Sequence, residues 1–340
     1  MFRKKITPFL IIFLLFALFC SQAQKTAIIG FYNVENLYDT EKDPITNDNE
    51  FLPNSTYQWT TERYNQKLKN LAYAISEIGK EQGGVVVLGM SEIENARVLN
   101  DLVAQDALKP LHYKVAHHDG PDLRGVDVAF IYQGERFEFI SQKPHTLTIP
   151  DNPTFKTRDQ LLLVGVLDKT DTLYLIVNHW PSKRGGEARS APLRMAAAQL
   201  TRSIADSLLK INANAKIVIM GDLNDNPNAK SIMNGLNAKG KMNDVQQYDL
   251  FNPMWKMYRD GIGSYAYQDS WDLIDQIIMS YALLQSKPNK YKFISAHVFN
   301  PNFLKTKTGS FQGYPFRTYA GGSYAGGYSD HFPVYVVLQK

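Results

Sequence analysis

Asp222 and Asn224 stand just beyond Lys216-Ile-Val-Ile-Met-Gly221, an apolar run closed by glycine. Ile217 to Met220 read as a buried strand, and Gly221 stops it so that both polar residues emerge at its carboxyl end. Period two puts Asp222 and Asn224 on the same side. A carboxylate and an amide on a rigid strand end are suited to holding a divalent cation, a water or a phosphoryl oxygen. Four further strand-end clusters carry the same chemistry: Asn33 and Glu35, Glu92 with Glu94, Asn178 and His179, and Ser329-Asp330-His331.

Hard divalent cations prefer oxygen ligands and keep several waters, so one or two carboxylates and an amide suffice. Glu92, Asn33 and Asp330 fit that need, and Glu35 shares a face with Asn33. The chain has one cysteine, Cys20, and no His-x-x-x-His pair, which leaves a thiolate or compact imidazole zinc site without support. His179 and His331 stand out among the seven histidines because each belongs to a strand-end cluster. A water attacking phosphorus must lose a proton while the departing oxygen gains one, and imidazole titrates near enough to neutrality for either task. Each histidine calls for a carboxylate to fix its tautomer: Asp275 is available to His331, and Asp127 to His179. Asn178 and Arg124 are candidates for touching substrate. Glu94 reads as a solvated or helix-capping carboxylate, His117 and His118 as loop residues. Lys183, Arg184 and Arg189 form a basic loop beyond His179 that is either solvated or a grip on phosphate.

The elements that must position these groups follow from periodicity. Met1-Phe-Arg-Lys-Lys5, an apolar Ile6–Cys20 and small residues at Ser21 and Ala23 describe a secretory signal peptide over 1–23. A retained anchor helix and a lipoprotein signal at Cys20 are the competing readings. Export, to the periplasm or the medium, would leave 24–340 without cysteine, so the hydrophobic core must hold the fold alone. Arg3, Lys4 and Lys5 account for three of the four net positive charges. Bulk charge therefore does not recruit polyanions, and any such site must be local.

Strands are expected at Lys25–Asn33, Val85–Leu88, Tyr113–His117, Val126–Tyr132, Phe137–Ile149, Gln160–Leu167, Leu173–Val177, Phe293–Phe299 and Phe332–Leu338. Another, Leu273–Met279, carries Asp275 in its middle. Helical spacing marks Glu62–Gly79, Ala96–Ala104 and Pro192–Leu209. The Gly/Tyr segment Ala320–Tyr328 reads as a mobile loop. No repeat or linker divides the mature chain, and many strands with few helices argue for two packed sheets covered by helices, in one domain.

Asn33-Val-Glu35, Ser91-Glu92, Asn178-His179, Gly221-Asp222-Leu-Asn224, Asp275-Gln276-Ile277 and Ser329-Asp330-His331 occur in the order found in the endonuclease/exonuclease/phosphatase superfamily. That group, which this chain resembles along nearly all of 24–340, includes deoxyribonuclease I, apurinic/apyrimidinic endonucleases, sphingomyelinases and inositol-polyphosphate 5-phosphatases. The resemblance implies an α/β, four-layer α-β-β-α sandwich with two mixed, mainly antiparallel sheets. It also implies Mg²⁺- or Mn²⁺-dependent hydrolysis of phosphate esters by direct attack of water. By motif position, Glu92 and Asn33 would hold the metal with Asp330 near it, and Asp222 and Asn224 would lie beside the scissile phosphate. His331 with Asp275 would form the base side, and His179 would act as acid or phosphate ligand. Gln276 stands where relatives often have arginine, and Glu35 where several have aspartate.

The expected function is an exported phosphodiesterase, foremost a nuclease acting on DNA or RNA. A phosphatase or phospholipase-type enzyme on inositol phosphate or sphingomyelin-like headgroups is the alternative. No stable membrane insertion is expected after signal cleavage. A binding protein that kept the fold and lost turnover should lack Glu92, Asp222 or His331, and all three are present.

Overall fold

The structure, a computed structural model, describes residues 24–340, so the signal peptide expected at 1–23 lies outside the described residues. The chain enters through β1 (Thr26–Leu37), α1 (Thr61–Glu77), β2 (Val85–Ile93) and α2 (Ala96–Val103). Five strands follow: β3 (Tyr113–His117), β4 (Asp127–Gln133), β5 (Phe137–His145), β6 (Gln160–Leu167) and β7 (Asp171–His179). Next come α3 (Glu187–Ile211), β8 (Lys216–Asp222), the short β9 (Ala238–Lys239) and β10 (Leu250–Phe251), and α4 (Met254–Arg259). A hairpin of β11 (Tyr265–Tyr267) and β12 (Ser270–Asp272) precedes β13 (Asp275–Ser280) and β14 (Lys292–Val298). A second hairpin, β15 (Tyr319–Ala320) and β16 (Ser323–Tyr324), precedes the closing β17 (Val334–Gln339).

The strands form two large mixed sheets, ordered β14-β17-β1-β2-β4-β3 and β5-β6-β7-β8-β13-β10-β9. Alternation along each strand sorts side chains into layers. In β1, Ala27, Ile29 and Phe31 enter the core between the sheets, while Ile28, Tyr32 and Val34 pack with Leu68, Leu71 and Ile75 of α1. In β8, Val218 and Met220 face the other sheet, while Ile217 and Ile219 pack against Ala197, Ile204 and Ala205 of α3. Three apolar interfaces thus stack four layers, α-β-β-α. Each fully buried Ile or Leu contributes about 1.5–3 kcal/mol, so these interfaces outweigh the surface ion pairs.

Local signals fix the helices. Thr60 caps α1, its side chain accepting from the Arg63 N–H, and Gly79 ends the turn with φ 61°, where an added Cβ would fall 1.8 Å from Ile28 Cδ1. Asn95 caps α2 by accepting from Val98 N–H. The second sheet packs tightly over Gly89 of β2, where a Cβ would sit 2.5 Å from Met220 Sδ and 3.1 Å from Val177 Cγ2.

Three expectations are corrected. Asp275 opens β13 rather than lying mid-strand. α3 begins at Glu187, ahead of Pro192, because its first turn is exposed and carries no apolar period to read. The Gly/Tyr segment is a fastened hairpin: Asn70 Nδ2 of α1 donates to the carbonyls of Gly326 and Gly327 at 2.9 Å, and Lys67 Nζ to that of Tyr328 at 2.7 Å.

Candidate active site

Backbone registry assembles the site. β7 and β8 run parallel with His179 opposite Asp222, and β8 and β13 run antiparallel with Asp222 opposite Asp275. These three residues continue the series of Val177, Met220 and Ile277, which faces the other sheet. The other sheet brings Asn33 on β1 beside Ser91 on β2. Just before β17, the Ser329 hydroxyl donates to the Asn33 carbonyl at 2.7 Å and accepts from the His331 N–H at 3.1 Å, fixing that loop to β1.

The chain departs from regular geometry here. Glu35, Asn36, Glu92 and Asn224 all have positive φ, at 53°, 52°, 65° and 52°. Such conformations cost about 1–3 kcal/mol each and gather at functional sites. Glu92 shows what one achieves. Regular alternation would send it with Leu88 and Met90 toward the helices, but a register irregularity between Ser91 and Ile93 interrupts the pleat. Glu92 Oε1 consequently lies 3.4 Å from Asn33 Nδ2 and 3.9 Å from His179 Nε2.

Asp222 is the hub. Asn33 Nδ2 donates to its Oδ2 at 3.1 Å, the Asn224 N–H to its Oδ1 at 2.9 Å, and His179 Nε2 and His331 Nε2 lie 3.6 and 3.9 Å from Oδ2. Burial raises its carboxyl above the ordinary range, against the pull of His331 and with the push of Asp275. Asn224 Nδ2 donates to the Trp180 carbonyl at 3.0 Å, tying β8's end to the residue after His179. The Asp275 Oδ2 atom meets His331 Nδ1 at 2.7 Å and accepts from Ser264 Oγ at 2.5 Å. Burial alone would lower the His331 imidazole, but Asp275, Asp330 and Asp222 outweigh it and hold it well above its usual range.

The pairing expected for the second histidine does not form. Asp127 lies one ladder step diagonal to His117 across β3 and β4, and it meets His117 Nε2 at 3.4 Å while accepting from the Gly120 N–H at 2.9 Å. His117 is therefore a strand residue with its own carboxylate, not a free loop residue. His179 Nδ1 is buried without a hydrogen-bond partner. Burial, then the charges of Arg158 and Arg124, hold its imidazole well below the usual range.

Arg158 was absent from the sequence reading. It lies just before β6, 8% exposed, with Nη2 donating to the Trp180 carbonyl at 2.8 Å and Nη1 to Asp122 Oδ2 at 3.4 Å. The available signal was an arginine set directly against an apolar strand, where an unpaired charge would be costly. Arg124, half-exposed, sits where Glu92 and Asp122 raise its pKa against the effect of burial. Ser264, from the loop before β11, gave no signal at all.

Three other assignments change. Asn178 has helix-side parity and is fully buried: Nδ2 donates to the Met220 carbonyl, and Oδ1 accepts from Trp180 Nε1 and Thr201 Oγ1, which ties it into the scaffold. Glu35 turns inward, accepting from the Thr318 N–H at 2.6 Å and pairing with the buried Lys67 at 3.6 Å. Burial, then Asp330, raises its carboxyl, and burial lowers the Lys67 ammonium. Glu94 is buried and accepts from the Asp39 N–H, its carboxyl pushed up to about 8 chiefly by burial; Asn95 does the capping. Gln276 bridges Asn252 and the Asp225 carbonyl, while the buried Arg194 pairs with the Asp225 carboxylate at 2.8 Å.

A divalent cation of the Mg²⁺ or Mn²⁺ class fits these donors. They are oxygen-rich, and the raised Asp222 carboxyl records buried negative charge with too little positive charge against it. Asp222, Asp275 and His331 offer ligand atoms within 4.8 Å of one another. The 2.7 Å bond between Asp275 Oδ2 and His331 commits that oxygen to the imidazole, which leaves Glu92, Asp222, Asp330 and the unpartnered Asp275 Oδ1 as carboxylate oxygens open to a cation. Asn33 donates to Glu92 and Asp222 here, and its Oδ1 accepts from the Glu35 N–H, so in this conformation it braces acidic groups instead of offering oxygen.

A family model described as the Endonuclease/Exonuclease/phosphatase family matches residues 28–340. Comparison with curated protein sequences returns no match. Among solved structures, TDP2 of D. rerio humanised by 14 mutations superposes with a TM-score of 0.57 and 13% identity, covering 93% of this chain and 100% of that one. ANGEL2, described as a 2′,3′-cyclic phosphatase, gives 0.56 and 13% over 93% and 95%. The mannosyl-6-phosphatase Bt3783 of Bacteroides thetaiotaomicron gives 0.53 and 15% over 92% and 99%. These likenesses are of fold, and the two structures described by an activity are phosphatases of different substrates. The match over nearly every described residue identifies the lineage: this chain belongs to the endonuclease/exonuclease/phosphatase family.

Proposed function

We propose that the chain is a divalent-metal-dependent phosphoric ester hydrolase that cleaves phosphodiesters by direct attack of water, with DNA or RNA as the foremost substrate class. The observation that carries this reading is the line Ser264–Asp275–His331 converging on Asp222. Ser264 orients Asp275, and Asp275 holds His331 Nδ1, which directs Nε2 toward Asp222. A water hydrogen-bonded to both Nε2 and the Asp222 carboxylate is positioned to pass its proton to the unprotonated form of Nε2 as it attacks phosphorus, and the carboxylates that favour the resulting imidazolium make that nitrogen the stronger base. Asn33 and the Asn224 backbone keep Asp222 in place. His179, kept neutral by burial and then by Arg158 and Arg124, is suited to donate a hydrogen bond to a phosphoryl oxygen; of the two roles open to it, phosphate ligand is the better supported. Arg124, near Glu92, is suited to contact substrate. When bound, Mg²⁺ or Mn²⁺ held by Glu92 with Asp330 supplies charge neutralisation for the phosphoryl oxygens and the leaving group.

We also infer export through residues 1–23 to the periplasm or medium, from the basic start, apolar core and small residues of that segment. Release of nitrophenol from bis(p-nitrophenyl) phosphate is the test of activity. Turnover abolished by EDTA and restored by Mg²⁺ or Mn²⁺ is expected; none under any metal supports a binding protein. Parallel incubation with plasmid, single-stranded DNA, RNA, inositol phosphates and sphingomyelin separates a nuclease from the phosphatase and phospholipase readings.

A further inference from the structure

Two residues beyond His179 the chain enters a cleft of about 550 Å³ that the proposed chemistry does not use. Its cationic lining is Lys156, Arg158, Arg184 and Arg189, and no lining residue among those described is acidic. Asp122 pairs with Arg158 at 3.4 Å, and Glu187 with Arg194 at 2.7 Å. Charge alone would be a solvated surface. Two further observations make it a site.

The first is polar atoms left waiting. Arg158 Nε and Thr157 Oγ1 are buried and have no hydrogen-bond partner, although the Arg158 side chain is only 8% exposed. Burying such donors without partners costs about 1–3 kcal/mol each, and an anion in the cleft would satisfy them. The second is the start of α3, a helix of 25 residues whose N-cap is Gly186 and which therefore has no side-chain cap. The first N–H groups of a helix have no partner within it, and their dipoles favour a phosphate at that end. Gly185, Arg189 and Ser190 put this helix start in the wall of the cleft.

We propose that the cleft is a second phosphate subsite, and that the preferred substrate carries another phosphate on the His179 side of the scissile ester. This rests on the hydrolase reading above. Arg158 links the two sites: it lines the cleft and donates to the carbonyl of Trp180, the residue after His179. Arg184 and Arg189 close on the outer face, where a guanidinium fork suits a phosphate better than an ammonium does. The shared chemistry is a phosphate group, supplied either by the next backbone phosphate of a nucleic acid or by a small bisphosphate.

The test compares thymidine 5′-(p-nitrophenyl phosphate) with the same ester bearing a 3′-phosphate, and with a short single-stranded oligonucleotide, on wild type and Arg184→Gln/Arg189→Gln. The added phosphate is expected to raise wild-type kcat/KM about tenfold or more, through KM, the scale of a charge-assisted hydrogen bond. The double variant is expected to lose most of that advantage. A gain with both phosphorylated substrates identifies a site for any second phosphate; a gain with the oligonucleotide alone identifies the nucleic-acid backbone. No gain with either, or an equal gain in wild type and variant, overturns the subsite. Calorimetric titration of inorganic phosphate in EDTA keeps the test independent of turnover. Weaker binding by the double variant sustains the subsite even if no ester is cleaved, and equal binding overturns it.

Discussion

The two site histidines occupy opposite situations. His331 has a carboxylate on Nδ1, a serine behind that carboxylate, and acidic neighbours that favour its cation. His179 has no partner on Nδ1 and two arginines that disfavour its cation. Both rings are almost fully buried and both face Asp222. The difference comes from what stands behind each ring, and it divides the labour: one imidazole handles a proton, the other presents a fixed hydrogen bond to an anion.

The strongest way to break that division is at His331. His331→Ala is expected to lower kcat by about 10²-fold or more while leaving Mn²⁺ affinity close to wild type in a calorimetric titration. Glu92→Ala is expected to do the reverse in the titration, weakening Mn²⁺ binding outright. Equal turnover in wild type and His331→Ala would refute the proton-transfer role. Asp275→Asn comes next: it keeps the shape but removes the charge that fixes the ring, so kcat should fall less than in His331→Ala and with KM little changed. A rise in KM alone would assign Asp275 to substrate binding. For His179→Ala the expected signature is different, a raised KM with a smaller loss of kcat, and a pure kcat defect would return it to the acid role.

Smaller effects sharpen the contrast from outside the site. Asp127→Asn should leave kcat/KM within about twofold, far below the ~10²-fold scale of lost acid–base catalysis, because Asp127 serves His117 and not His179. A large loss would mean that a rearrangement brings the two together during turnover. Asp168 offers a test of stability remote from the chemistry. Burial alone would raise its carboxyl, but Arg136, Lys25 and Tyr291 bring it down to about 2. The folded value lies below the unfolded value of about 3.9, so its contribution is present above pH ~4 and is lost as the pH falls toward about 2. Asp168→Asn should therefore be less stable at pH 7, with a gap to wild type that narrows over that acid window in thermal melts.

The sequence made strand ends legible because buried strands advertise themselves as apolar runs, and polar residues closing such runs are conspicuous. Asp222, His179, Glu92 and the Ser329–His331 loop were all readable in that way. Partnerships were less so. Asp275 with His331 was inferred and formed, whereas Asp127 with His179 was inferred and did not, since spacing cannot tell which of two nearby histidines a carboxylate will meet. Asn178 was misjudged although its parity was in plain view: it alternates with His179 and so must face α3. Glu92 lay beyond such logic, because a left-handed residue and an interrupted pleat reversed the face that alternation dictates. Arg158 and Ser264 come from loops, where no period exists to read.

Gly89 has a consequence for how the whole site keeps its dimensions. It lies on β2, three residues before Glu92, and touches Met220, two residues before Asp222. A methyl group added there would press on the Met220 thioether and the Val177 side chain, which sit two positions before Asp222 and His179. Side-chain size at position 89 therefore governs how Met220 and Val177 seat beneath the site while every residue of the site itself stays the same.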